Sequence, residues 1–250
     1  MRNSDRSGLS RDEIAWLLGT LLYVLLMSLP TQILNCFFST AGAETTSTTL
    51  LWWVLAMMAY PEIQTRAQDE LDAVVGRFRT PTFADAPNLP YIQAMVKESL
   101  RWRPALPLGI PHSTTDDDWY EGMFIPKGTV CFANLWQCNL DPALYGDDAA
   151  DFNPGRFLDE HGRLIPGPVE THEDGHSTYG FGRRACVGKH AANESMFISI
   201  ATVLWAMRLE CPRDENGKEV PLDKTPVDIG MVLYANIPIL SCLDPGLNLN

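Results

Sequence analysis

The stretch YGFGRRACVGKH, residues 179–190, sets three glycines and two arginines around one cysteine and then enters an apolar, helix-like run. The unpaired N–H groups and the dipole of a helix start favour a thiolate at Cys186. A thiolate so placed is a metal ligand or a nucleophile. Gly180, Gly182 and Gly188 remove side chains, so a flat, bulky group can lie against the backbone while amides point at the sulfur. A nucleophile would call for a base and a small pocket instead. The bland alternative is a Gly-rich turn with an incidental buried cysteine.

A chain of 250 residues with 46% hydrophobic side chains can bury a sizeable core, and one globular domain, or most of one, is expected. The net charge of -12 repels phosphate backbones, and no basic cluster is large enough to outweigh it, so nucleic acid is not an expected partner. Six cysteines (Cys36, Cys131, Cys138, Cys186, Cys211, Cys242) contain no C-x-x-C pair. Their scatter argues against a disulfide framework and a zinc site, and for a reducing compartment.

The elements follow from spacing and punctuation. ETTSTTLLWWVLAMMAY reads as a buried helix ending before Pro61, and PEIQTRAQDELDAVVG as an amphipathic helix that stops at Gly76. Ile92, Met95, Val96 and Leu100 define a third helix between Pro90 and Pro104. MFIPKGTVCFANLW predicts short strands and a hairpin around Pro-Lys-Gly. Residues 141–177, rich in Pro, Gly and Asp, read as a long functional loop. CVGKHAANESMFISIATVLWAM reads as a long buried helix, and the tail as turns and hairpin strands. The expected class is mainly α with small β-sheets (α+β).

Tyr179-x-x-Gly182-x-Arg184-x-Cys186-x-Gly188 resembles the haem-binding loop of the cytochrome P-450 family, F-x-x-G-x-R-x-C-x-G, with Tyr for the usual Phe. The resemblance implies Cys186 as the axial thiolate of haem b, Arg184 against a propionate, and Tyr179 as the aromatic shielding the sulfur, its hydroxyl needing a partner that Phe would not. Three further landmarks occur in family order. Glu98 and Arg101 in KESLR match E-x-x-R, and FNPGRF matches F-x-P-x-R-F, which implies a buried network of Glu98, Arg101 and Arg156. On its own the E-x-x-R pair reads more often as a solvated ion pair. AGAETT, residues 41–46, matches A-G-x-[D/E]-T-[T/S], with Glu44 and Thr45 supplying an acid and a hydroxyl on the side where dioxygen is handled. In isolation the threonine reads equally as a hydroxyl bonded to the preceding turn. His112 in PLGIPHSTTDDD falls where the family commonly has Arg or His against a propionate.

The resemblance covers residues 41–250 and is to the C-terminal half of a fungal, microsomal-type member. The membrane anchor, much of the substrate-recognition surface and another propionate-binding helix belong to the family's N-terminal half. Residues 1–40 form a separate N-terminal segment with an apolar stretch. Within it, residues 24–40, VLLMSLPTQILNCFFST, separate LSRDEIAWLLGTLLY from AGAETT, two pieces that run together in the family. They read as an insertion, such as a retained intron, and Pro30 inside a helix would cost about 3 kcal/mol or more. By hydropathy, residues 14–34 are long enough to span a bilayer. Arg2, Arg6 and Arg11 would then keep the N-terminus cytoplasmic and send the haem domain to the lumen, opposite to the family's habit.

The implied function is monooxygenation of a hydrophobic small molecule, such as a fungal terpenoid or polyketide. Its electrons would come from NADPH through cytochrome P-450 reductase, at the endoplasmic reticulum membrane with the haem domain in the cytosol. The rivals are a haem-thiolate isomerase or dehydratase and a truncated, non-catalytic membrane-associated fragment.

Overall fold

Pro61 organises the first half of the molecule. The computed structural model describes residues 33–168, 171, 174–214, 216–229 and 232–235. Helix α1 (Ile33–Ala59) ends just before that proline, and α2 (Pro61–Val74) starts on it, where the missing N–H leaves nothing unpaired. Gly76, at φ 71, turns the chain out of α2. Helix α3 (Pro90–Trp102) again opens on proline, and its next two amides, of Tyr91 and Ile92, donate to the Glu70 carboxylate of α2 at 2.9 and 3.1 Å. Two short helices, α4 (Leu135–Asn139) and α5 (Pro142–Tyr145), precede the irregular segment, and α6 (Lys189–Ala206) follows the cysteine loop.

Helices α1, α2, α3 and α6 share one core. Trp52, Trp53, Leu55 and Met57 of α1 meet Leu71 of α2, Ile92 and Met95 of α3, and Met196, Ile200 and Leu204 of α6. Two glutamines on α2 are buried with them. Gln68 donates to the carbonyls of Leu204 (3.0 Å) and Met207 (2.8 Å), and Gln64 exchanges two bonds with the Leu209 backbone (2.8 and 2.7 Å). They satisfy the carbonyl end of α6, which has no intrahelical donors.

The described residues carry three two-stranded antiparallel ribbons. The expected hairpin around Pro-Lys-Gly is displaced. β1 (His112–Ser113) pairs with β4 (Val130–Cys131), whereas β2 (Asp118–Tyr120) pairs with β3 (Met123–Ile125). The tight turn lies at Glu121 and Gly122, with φ 48 and 81, the doubly positive geometry that suits strand twist. Pro126 to Gly128 instead links the two ribbons, with the Gly128 amide donating to the Thr114 carbonyl at 2.9 Å. β5 (Pro226–Ile229) and β6 (Val232–Ala235) form the last ribbon. It is pinned to the core by Trp52 Nε1 donating to the Leu233 carbonyl (3.0 Å) and the Leu233 amide donating to Ala105 (3.1 Å).

Among the described residues no helix is long and apolar enough to cross a membrane. The stretch 14–34 lies outside them but for its last two positions. Of residues 24–40, the structure describes 33–40, which form the first turns of α1 and run unbroken into Ala41.

Candidate functional site: the cysteine loop and its charged support

The loop between Tyr179 and Gly188 is closed by the Cys186 amide donating to the Tyr179 carbonyl at 2.7 Å. Gly180 (φ 71) and Gly182 (φ 58) take the left-handed backbone that the tight path needs. A 3-10 turn, Gly182–Arg184, carries Arg184 and leads to Cys186, which lies two residues before the Gly188 N-cap of α6 and not within its first turn. Cys186 is exposed, and so are Arg183, Arg184 and Gly182. Val187 beside it is 86% exposed and Phe181 42%, an apolar rim around a thiol that is not packed away in the core.

Tyr179, by contrast, is buried. Its hydroxyl donates to Asn193 Oδ1 at 2.7 Å, and burial pushes its pKa up. Its ring lies 5.0 Å from that of His176. Burial, with Lys97, Arg101 and Lys189 nearby, holds the buried His176 imidazole neutral, its pKa lowered to about 3. The Thr178 amide donates to its Nδ1 at 3.3 Å.

Beneath this loop the structure brings Glu98, Arg101 and Arg156 together. Arg101 forks onto both Glu98 oxygens at 2.7 and 2.8 Å, and both side chains are fully buried. Arg156, on a 3-10 turn (Pro154–Phe157), reaches Glu98 Oε1 at 3.2 Å, and the Asn153 amide donates to the same oxygen at 2.7 Å. Arg101 also donates to the carbonyls of Asn139 (2.6 Å), Ala149 (2.7 Å) and Asp151 (3.0 Å). Arg156 also pairs with the more exposed Asp148 carboxylate at 3.1 Å, and the buried Glu98 and the two guanidiniums are thus tolerated in the interior because nearly every polar atom has a partner.

Sequence reasoning missed the link between this network and the loop. It is Asn139, fully buried, whose carbonyl takes Arg101 while its side chain accepts from the Ser177 amide (2.7 Å) and donates to Thr178 Oγ1 (2.8 Å). Thr178 then donates to the Leu100 carbonyl at 2.7 Å. A lone asparagine at the end of a five-residue helix carries no signature that would single it out.

The remaining sequence-derived residues make their described bonds elsewhere. Thr45 donates to the Ala41 carbonyl at 2.8 Å, one turn back on α1. The exposed Glu44 carboxylate accepts a hydrogen bond from Tyr234 of β6, a partner the motif did not suggest. His112 is exposed on β1, opposite Cys131.

Among the described residues no three His, Cys, Asp or Glu side chains gather as a metal site of their own. The loop offers one accessible thiol, two exposed guanidiniums and bare glycine faces, with open space where a Cβ on Gly180 or Gly182 would stand. That donor set fits a metal carried in a flat organic group with an anionic rim, as haem is.

The profile of the Cytochrome P450 family matches residues 28–234, and the chain belongs to that family. A cytochrome P450 monooxygenase of Armillaria gallica is 54% identical over 223 residues, covering 89% of this chain and 40% of its own length. Cytochrome P450 monooxygenase 58 of Postia placenta is 47% identical over 233 residues (93% and 41%), and cytochrome P450 monooxygenase iboC of Amanita muscaria 39% over 285 (96% and 46%). The chain spans less than half the length of these relatives.

Proposed function

We propose that the protein acts as the haem-bearing portion of a monooxygenase that inserts one oxygen atom of O₂ into a hydrophobic small molecule of fungal secondary metabolism. The observation that carries the reading is the exposed Cys186 thiol, held in a glycine loop that is braced from below by a saturated charge network. Cys186 would ligate the iron of haem b, with Arg184 and His112 against its propionates and Gly182 and Gly188 giving the ring room. Bound there, haem with a thiolate ligand supplies the cleavage of dioxygen.

The chain's own residues do the rest. Tyr179 would cover the sulfur from the protein side, and the neutral His176 beside its ring would add no competing charge. Glu98, Arg101 and Arg156 hold the segments that carry the loop. Glu44 and Thr45 would pass protons on the opposite face, Glu44 by its carboxylate and Thr45 by a hydroxyl that can leave the Ala41 carbonyl. Membrane association at the endoplasmic reticulum and electron supply from NADPH through cytochrome P-450 reductase complete the proposal.

The test is turnover under ¹⁸O₂ with the reductase and a panel of terpenoid and polyketide substrates, using the chain joined to the N-terminal portion of the Armillaria relative. Reductase-dependent product carrying one ¹⁸O supports the proposal. Rearranged or dehydrated product without label, formed with no reductase, would replace it with an isomerase or dehydratase.

A further inference from the structure

We propose that Asn193 is a positioning residue for the Cys186 loop, acting through the hydroxyl of Tyr179. The proposal rests on reading Cys186 as the iron ligand, and it adds a residue outside the loop that sets where the thiol stands.

Tyr179 is gripped at two points. Its carbonyl takes the Cys186 amide at 2.7 Å, and its hydroxyl donates to Asn193 Oδ1 at 2.7 Å, on the second turn of α6. Between these points the ring is buried against His176, whose neutral imidazole gives it a flat, uncharged neighbour. The loop backbone has little stiffness of its own, because Gly180 and Gly182 both lie in the left-handed region with open space around them. The Tyr179–Asn193 bond therefore ties the loop to a helix that is anchored in the core by Met196, Phe197 and Ile200.

A phenylalanine at position 179 would need no acceptor, whereas a buried hydroxyl without one is strongly unfavourable. Tyr179 and Asn193 are thus a matched pair. If Asn193 loses its acceptor, the ring must move to find another, and the Cys186 amide moves with the Tyr179 carbonyl.

The experiment is hydrogen exchange read by mass spectrometry on the chain without haem, following the amides of residues 180–188. Asn193→Leu should speed exchange about tenfold, the loss expected when one buried hydrogen bond is broken. Adding Tyr179→Phe should bring the Asn193→Leu protein back to the rate of Tyr179→Phe alone, because no hydroxyl remains to be satisfied. Unchanged exchange in Asn193→Leu overturns the proposal. So does an Asn193→Leu rate that Tyr179→Phe fails to rescue, since Asn193 would then act by packing. If Asn193→Leu does not fold, the double variant must; failure of both also overturns it. No arm requires haem, so these outcomes are distinct from a failure of Cys186 to ligate iron, which the carbon monoxide spectrum reads separately.

Discussion

Burying His176 beside three cations has a consequence that titration reads directly. Its native pKa of about 3 lies below the ordinary value of 6.5, so between those limits the unfolded chain binds a proton that the native chain refuses. The stability linked to the neutral ring is complete above pH 6.5 and falls as pH drops below it, by up to about 1.4 kcal/mol per unit. Urea midpoints from pH 7 to 4.5 should fall less steeply in His176→Phe than in the parent; parallel curves would show that the imidazole titrates normally. Glu98→Ala strips the carboxylate from the fully buried Arg101, while Arg156 keeps Asp148, and should cost about 3–5 kcal/mol, with loss of haem loading. A variant that melts and loads like the parent would contradict the network's role. Glu98, Arg101, Arg156 and Cys186 were legible in the sequence through its resemblance to the family's motifs, E-x-x-R, F-x-P-x-R-F and the cysteine loop, each of which spans several residues. Asn139 and Asn193 have no pattern: each is one amide whose partners lie 38 and 14 residues away, brought near only by folding.

Helices were legible where proline and glycine punctuate them, as at Pro61, Gly76 and Pro90, and where apolar spacing is regular, as in α3. The hairpin was misplaced because Pro-Lys-Gly is a strong turn signal, while Glu121 is an uncommon residue for a positive φ. Gln64 and Gln68 are polar by type but share a helical face with Ala67 and Leu71, and both are buried there because the end of α6 needs donors that a neighbouring helix supplies. Glu70 plays the complementary part at the start of α3. Glu70→Ala leaves the Tyr91 and Ile92 amides without their acceptor and should destabilise the protein by about 1–3 kcal/mol, measured by thermal unfolding; an unchanged midpoint would mean water replaces the cap. On α1, Thr45→Ala should leave the fold intact, since its hydroxyl bonds only one turn back, and should release peroxide in place of product in the loaded enzyme. Unchanged coupling would confine Thr45 to that local bond.

At the scale of the molecule, we propose that residues 24–40 are an insertion, such as a retained intron or a gene-model error, with a membrane span or a genuine part of the helix as the alternatives. Transcript sequencing should then find a message that joins the codons of Tyr23 and Ala41 directly. A mature message that always encodes the seventeen residues, with an active protein that keeps them, would make the stretch a genuine membrane or regulatory segment. The central claim is that Cys186 is the haem ligand, and the reduced carbon monoxide spectrum tests it most directly. In the chain extended by the Armillaria relative's N-terminal portion, the parent should give the strongly red-shifted Soret band of a carbonyl haem opposite a thiolate, and Cys186→Ala should lose it. The same red-shifted band in Cys186→Ala would contradict the assignment.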